Sequence, residues 1–258
     1  MTERDLTRIR WSELRELRRS PAHYRYRCDH PQPPSAAMSL GSLVHAMVLE
    51  PGTVPSRYRA QQYDGRTAQG KAEREAAAAA GITLVPSATW DQACAMATAV
   101  LTHPVARKWL VECERETEVE LQWESEEGEL LGGKADLIVG RRVVDLKTCR
   151  SADARTCQGT IARMAYNAQL AYYSWGLKAA RGVDPEAPAI IWVESEAPYC
   201  VRVQEMSHAW VESGARLFLD LLQLRRECER SGHWPGYSDD LEVSEPPMWM
   251  TDDEEDEG

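Results

Sequence analysis

Gly132-Gly-Lys-Ala-Asp-Leu-Ile-Val-Gly-Arg-Arg-Val-Val-Asp-Leu-Lys147 is the stretch whose reading decides the fold. It predicts two short strands, Ala135–Val139 and Arg142–Lys147, joined by a tight turn at Gly140-Arg141. Glycine as the first central residue suits a type II′ hairpin turn, because it tolerates the positive φ required there. With two loop residues Val139 pairs with Arg142, and the same count carries Asp136 opposite Asp145. Their β-carbons are then about 4.5–5.5 Å apart on one face, where like charges normally destabilise a sheet. A divalent cation between the carboxylates removes that conflict. Lys147 follows on the same face, about 6.8 Å along the strand, while Val144 and Leu146 point the opposite way into a core. The hairpin therefore predicts a metal site with a cation beside it.

Composition is that of a globular chain: 43% hydrophobic and 28% charged, with nine Trp and one Phe in 258 residues. No stretch is apolar enough to span a membrane, and the charged start MTERDLTRIR lacks the apolar run of a signal peptide. Seven cysteines without a C-x-x-C pair argue against a zinc ribbon or a disulfide framework, and a reducing cytoplasm is the expected location. The net charge of −11 is uneven. Six acids lie in Asp252–Glu257, a tail expected to be disordered, while the first thirty residues carry eight arginines. A net acidic chain with a local basic lining and a bound metal still accommodates DNA, so charge alone decides nothing.

Upstream, Trp11–Tyr24 predicts a short helix capped by Ser12, with Pro21 opening the next turn. Leu40, Leu43, Val44, Met47 and Val48 predict a helix that Pro51 ends, carrying Gly41 and His45 on one face. By residue type alone His45 is a hydrogen-bonded core histidine. An alanine-rich helix and a second one from Ser87 read as a helical layer beside the sheet. Arg66 and Lys71 are either surface charges or a channel lining. Thr117–Trp123 alternates as a half-buried strand, leaving Glu118 and Glu120 either facing solvent or adding one carboxylate to the site. Beyond Lys147, Ser151–Gly159 reads as a polar loop and Ile161–Ala180 as a helix. Tyr166, Gln169 and Tyr173 form one stripe of that helix, and Met164, Ala168, Tyr172 and Trp175 a neighbouring stripe turned to the sheet. Ala189–Glu194 and Tyr199–Val203 predict strands, and Ser207–Arg230 a closing helix with Trp210, Leu217, Leu221 and Leu224 inward.

The spacing D-x8-D-x-K resembles the PD-(D/E)XK nuclease superfamily, although no proline precedes Asp136. Other stretches resemble its RecE-type branch, with RecB-like motifs. These are S-x-L-x-x-L-x-x-S-P-x-x-Y from Ser12, G-x-x-x-H-x-x-x-L-E-P from Gly41, Y-x-x-Q-x-x-x-Y from Tyr166, and W-P-G-Y from Trp234. The resemblance implies an α/β restriction-endonuclease-like core, a central mixed sheet with helices on both sides. It divides the chain into a helical part of about residues 1–115, a catalytic core of about 116–240, and the acidic tail. Asp136, Asp145 and Lys147 are implied as catalytic; His45, Asp136, Asp145 and the Leu146 carbonyl as ligands of Mg²⁺, with Mn²⁺ as substitute. Gln169 and Tyr173 are implied either to contact DNA phosphate or to order the lysine. The implied activity is digestion of double-stranded DNA from 5′ ends, leaving 3′ single strands for annealing recombination. A homo-oligomeric ring and a single-strand annealing partner go with it, usually in phage recombination. A RecB-like repair or restriction endonuclease is the alternative, and a catalytically idle DNA-end-binding module another.

Overall fold

The turn that sets the hairpin register forms as expected. In a computed structural model, which describes residues 8–30, 40–238 and 240–246, Gly140 has φ +58° and Val139, Ile138 and Leu137 pair with Arg142, Val143 and Val144. The hairpin lies inside a five-stranded mixed sheet: β1 (Arg115–Glu124), β2 (Leu130–Val139), β3 (Arg142–Cys149), β4 (Ala189–Glu194) and β5 (Val201–Glu205). Neighbours in the sheet follow chain order, with β3–β4 the one parallel pairing. A parallel pair needs a crossover, which here is helical. A separate two-stranded parallel ribbon joins Tyr58–Ala60 to Thr83–Val85.

Helices cover both faces. On one lie α1 (Pro21–Asp29), the crossover helices α5 (Ala154–Met164) and α6 (Tyr166–Arg181), and the closing helix α7 (His208–Ser231). Their core gathers Trp11, Tyr24, Ile161, Tyr172 and Phe218 against Ile138, Val143 and Trp192 of the sheet. On the other face α2 (Leu40–Leu49) and α4 (Ser87–Thr102) bury Leu43, Val44, Met96 and Val100 against Leu137, Val144, Leu146 and Ile191. The alanine-rich α3 (Ala68–Ala79) lies further out, with Gly70 and Ala77 its buried residues. The expected restriction-endonuclease-like architecture is therefore present. No helix of the described residues is long and apolar enough to cross a membrane.

Several local expectations need correction. The first helical turn begins at Trp11 without a side-chain cap; Ser20 is the residue that caps, accepting from the His23 N–H ahead of Pro21. Ser151–Gly159 is not a loop throughout. Asp153 accepts from the Thr156 N–H and starts α5, whose Cys157 and Ile161 bury one turn apart. The expected single helix is broken at Ala165, which is left-handed (φ +53°). Met164 and Trp175 lie 39% and 41% exposed, so the stripe that meets the sheet keeps only Ala168 and Tyr172 of its four members. The acidic run lies outside the described residues.

Two contacts lock the layers. The Tyr172 hydroxyl donates to the Ile9 carbonyl at 2.7 Å and accepts from the Gly132 N–H at 3.0 Å. Ile9 itself bridges β2, its N–H donating to Leu130 and its carbonyl accepting from Gly132. Helices α6 and α7 cross at Gly214, where a β-carbon would sit 2.4 Å from the Asn167 carbonyl oxygen. Backbone cannot yield as a side-chain tip can, so Gly214→Ala should destabilise the fold by about 1–3 kcal/mol. Urea unfolding measures this, and a loss below about 0.5 kcal/mol would mean the crossing is looser than described.

Candidate active site

Pairing between β2 and β3 stops at Leu137–Val144, one step before the two acids. Asp136 Oδ2 instead accepts the Leu146 N–H at 3.1 Å, so a side chain takes a backbone donor of the neighbouring strand. On its other edge β2 pairs with β1 continuously except at Glu118, the residue opposite Asp136. Asp136 thus belongs to neither ladder. Strand alternation also breaks there: Ala135 and Ile138, three apart, enter the same core.

The Leu146 carbonyl accepts from His45 Nε2 at 2.5 Å, and the same nitrogen lies 3.8 Å from Asp136 Oδ2. Five neighbours of His45 on α2 are buried in the core, which leaves the imidazole at the helix margin beside the sheet. His45, Glu118 and Asp136 offer donor atoms all within 4.8 Å of one another. Glu118 is the acid that reaches the site; Glu120 pairs with Arg8 at 3.3 Å. Periodicity gave no means of choosing between them, because the choice is made by the backbone of Glu118, left-handed at φ +53°.

Asp145 is buried and held from both sides. Gln169 Nε2 donates to Oδ1 at 2.8 Å, and Lys147 Nζ lies 2.7 Å from Oδ2 in an ion pair not angled as a hydrogen bond. The Lys147 ammonium also sits 4.7 Å over the Tyr166 ring, a cation–π contact. Tyr166 was given no role of its own by its stripe or by the Y-x-x-Q-x-x-x-Y pattern it opens, and its position over the lysine follows from the break at Ala165. Of the two roles implied for Gln169, ordering is the one its contact with Asp145 supports. The Tyr173 ring lies against Gly133, behind the acids, and burial followed by the Asp136 charge raises its phenol.

The cleft in front of these groups has a volume of about 420 Å³ and is lined by Gly41, His45, Glu50, Arg57, Glu118 and Lys147 among others. Several basic groups of the described residues are paired elsewhere. Arg8, Arg10, Arg15, Arg19 and Arg25 each pair with a carboxylate, as does Arg66 with Asp64.

Burial and then the adjacent Asp145 charge raise the Asp136 carboxyl from its ordinary 3.8 to about 6, with His45 and Lys147 pulling the other way. For Lys147, burial pulls the ammonium down but the Asp145 and Asp136 charges outweigh it, and the net shift is upward. Carboxylate, imidazole and carbonyl donors converging where two acids repel suit a hard divalent cation. The donor set of His45, Asp136, Asp145 and the Leu146 carbonyl fits one.

The family model of a PDDEXK-like domain of unknown function (DUF3799) matches residues 11–246. The chain belongs to this family. The match spans every element of the site, so the nuclease-type PDDEXK-like domain occupies nearly the whole chain. No curated protein matches it in sequence. Among solved structures, a "putative exonuclease" from Eubacterium rectale is similar at 13% identity, covering 96% of this chain and 93% of that one with a TM-score of 0.63. Identity that low speaks to the fold. A second, SSO0001, reaches 16% identity over 87% of this chain and 79% of its own, with a TM-score of 0.35.

The raised Asp136 carboxyl has a sign that can be measured. Below its ordinary value of 3.8 the group is protonated folded or unfolded and contributes nothing. Between 3.8 and about 6 only the native state holds the proton, so metal-free stability falls as pH rises, and above that window the full penalty applies. Asp136→Asn removes the charge, and at pH 8 in chelator it should be more stable than the wild type by on the order of 1–3 kcal/mol. The difference should vanish near the acid end of the window. Equal urea midpoints at both pH values would show that neither burial nor the Asp145 charge raises the Asp136 carboxyl.

Proposed function

We propose that this chain is a divalent-metal-dependent nuclease that digests double-stranded DNA from 5′ ends and leaves 3′ single strands. The observation that carries the reading is the assembly around Asp136: a half-buried acid outside both ladders, facing Asp145, His45 and the Leu146 carbonyl, with Lys147 beside it. The E. rectale structure described as a "putative exonuclease" is in line with the exonucleolytic part. Mg²⁺ is the proposed ion, with Mn²⁺ as substitute.

His45, Asp136, Asp145 and the Leu146 carbonyl would hold the ion. Bound there, such an ion supplies charge neutralisation at a phosphate oxygen and acidification of water. The protein's own groups do the rest. Asp145, fixed by Gln169, holds the Lys147 ammonium in place, and the Tyr166 ring limits its swing. An ammonium so held offsets charge accumulating on the scissile phosphate and orients a water by hydrogen bonding. Leu146, whose neighbour Val144 is also buried in the α2/α4 core, keeps its carbonyl fixed by packing. The proposal includes a homo-oligomeric ring around the duplex and delivery of the 3′ strand to an annealing protein.

The test uses linear duplexes with and without 5′-phosphate beside a closed circle, with Mg²⁺ or chelator. Linear DNA should be degraded only with metal and the circle left intact; a cut circle would move the protein to endonucleases. Lys147→Ala and Asp145→Ala should each lower cleavage by about 10³-fold or more while DNA affinity changes little. Near-native cleavage by either variant would end the nuclease assignment at this site.

A further inference from the structure

We propose that Glu118 is a ligand of the divalent cation, paired with the Lys134 ammonium until the ion replaces that partner. The inference rests on the metal-dependent reading above and deepens it, since the sequence pattern of acids and lysine includes neither residue.

Three observations converge. The first is the backbone of Glu118, left-handed in the middle of a ten-residue strand. Pairing is in one register on both sides, Thr117 with Leu137 and Val119 with Ala135, so no inserted residue causes it. Glutamate has none of the short-range hydrogen bonding that eases asparagine or aspartate into this region, and the conformation is unfavourable unless its surroundings hold it. The second is where the side chain goes. The Glu118 side chain is 18% exposed and Glu120, the next residue on the strand's regular outward face, 60%. The kink takes Glu118 out of that solvated row and brings its carboxylate to His45 and Asp136, with donors from α2, β1 and β2 meeting within 4.8 Å.

The third is the choice of partner. Lys134 stands directly opposite Glu120 in the ladder, the position from which a cross-strand ion pair forms most simply. Glu120 instead pairs with Arg8, and Lys134 pairs with Glu118. The Lys134 side chain is half exposed, so its ammonium can swing into solvent without unpacking anything. A monovalent ammonium on a flexible stem neutralises Glu118 while a divalent ion is absent and yields to it when present. Carboxylate oxygen is the donor type a hard divalent cation prefers, and Glu118 adds a further side chain to His45, Asp136 and Asp145.

The experiment is Mn²⁺ titration of the full chain, stripped with chelator, by calorimetry and by the electron paramagnetic resonance signal of free Mn²⁺. Glu118→Gln keeps the shape and removes the charge, and it should weaken Mn²⁺ binding about tenfold or more. Lys134→Gln removes the competitor and should tighten binding by roughly two- to fivefold, an effect that a merely structural lysine would not produce. Glu118→Gly suits the left-handed backbone, so its metal-free Tm should equal or exceed that of the wild type while Mn²⁺ affinity falls as for Glu118→Gln. Wild-type affinity in Glu118→Gln, or unchanged or weaker binding in Lys134→Gln, would overturn the proposal and leave the nuclease reading intact. Absence of Mn²⁺ binding by the wild type would remove both. Should Glu118→Gln fold poorly, Glu118→Gly and Lys134→Gln decide the matter.

Discussion

Much of this structure follows from one hydrogen bond, the Leu146 N–H to the Asp136 carboxylate. A sheet that kept its ladder would place two carboxylates face to face and give each strand's amides to the other. Here a side chain takes the amide, the strands part, and the Leu146 carbonyl is turned to His45 instead of to β2. One donor–acceptor exchange thereby creates the opening, fixes one acid in it and frees a carbonyl oxygen from the ladder to meet His45.

The opening stays specific because rigid material surrounds it. Leu146 and Val144 are locked in the α2/α4 core, while Val143 and Trp192 are locked in the opposite one. Asp145 and Lys147 therefore cannot drift: the strand carrying them is packed on both faces and paired with β4 from Val144 to Cys149. The crossover to β4 is also what brings Tyr166 and Gln169 over these residues. Burial and the Asp145 charge disfavour the Asp136 carboxylate, while the same acids favour the Lys147 ammonium, so the metal-free site keeps one unfavourable charge, at Asp136, within a well-packed frame. Such a balance is common where function needs what stability does not.

How much of this could be read from the sequence depends on whether the signal was local. Gly140 and the flanking alternation set the register, and the register brought Asp136, Asp145 and Lys147 together, since a two-residue turn leaves few choices. His45 read by residue type as a core histidine, and its place beside the acids was legible only through the resemblance of G-x-x-x-H-x-x-x-L-E-P to the RecE-type pattern. The strand and helix patterns gave the elements, and the family resemblance implied their arrangement in three layers. Glu118 was not separable from Glu120, because a left-handed residue inside a strand leaves no trace in hydrophobic periodicity. The start of α5 was hidden for a related reason: Asp153 and the residues after it are polar, and only burial of Cys157 and Ile161 makes the turn a helix. Trp175 was placed inward by its neighbours' spacing, yet the crossing with α7 leaves it at the margin, 41% exposed.

The parting of β2 and β3 has a cost at a distance from the acids. With β3 paired to β2 only from Leu137 to Val139, the stretch Leu130–Gly132 would present a bare flank of amides and carbonyls. Ile9 lies along that flank, exchanging two backbone hydrogen bonds there under the Tyr172 hydroxyl. The entering segment is a selvedge for the split sheet. A molecule trimmed past Ile9 would carry a raw seam open to a second copy's strand, and association of that kind would begin on the side of β2 that the site itself had freed.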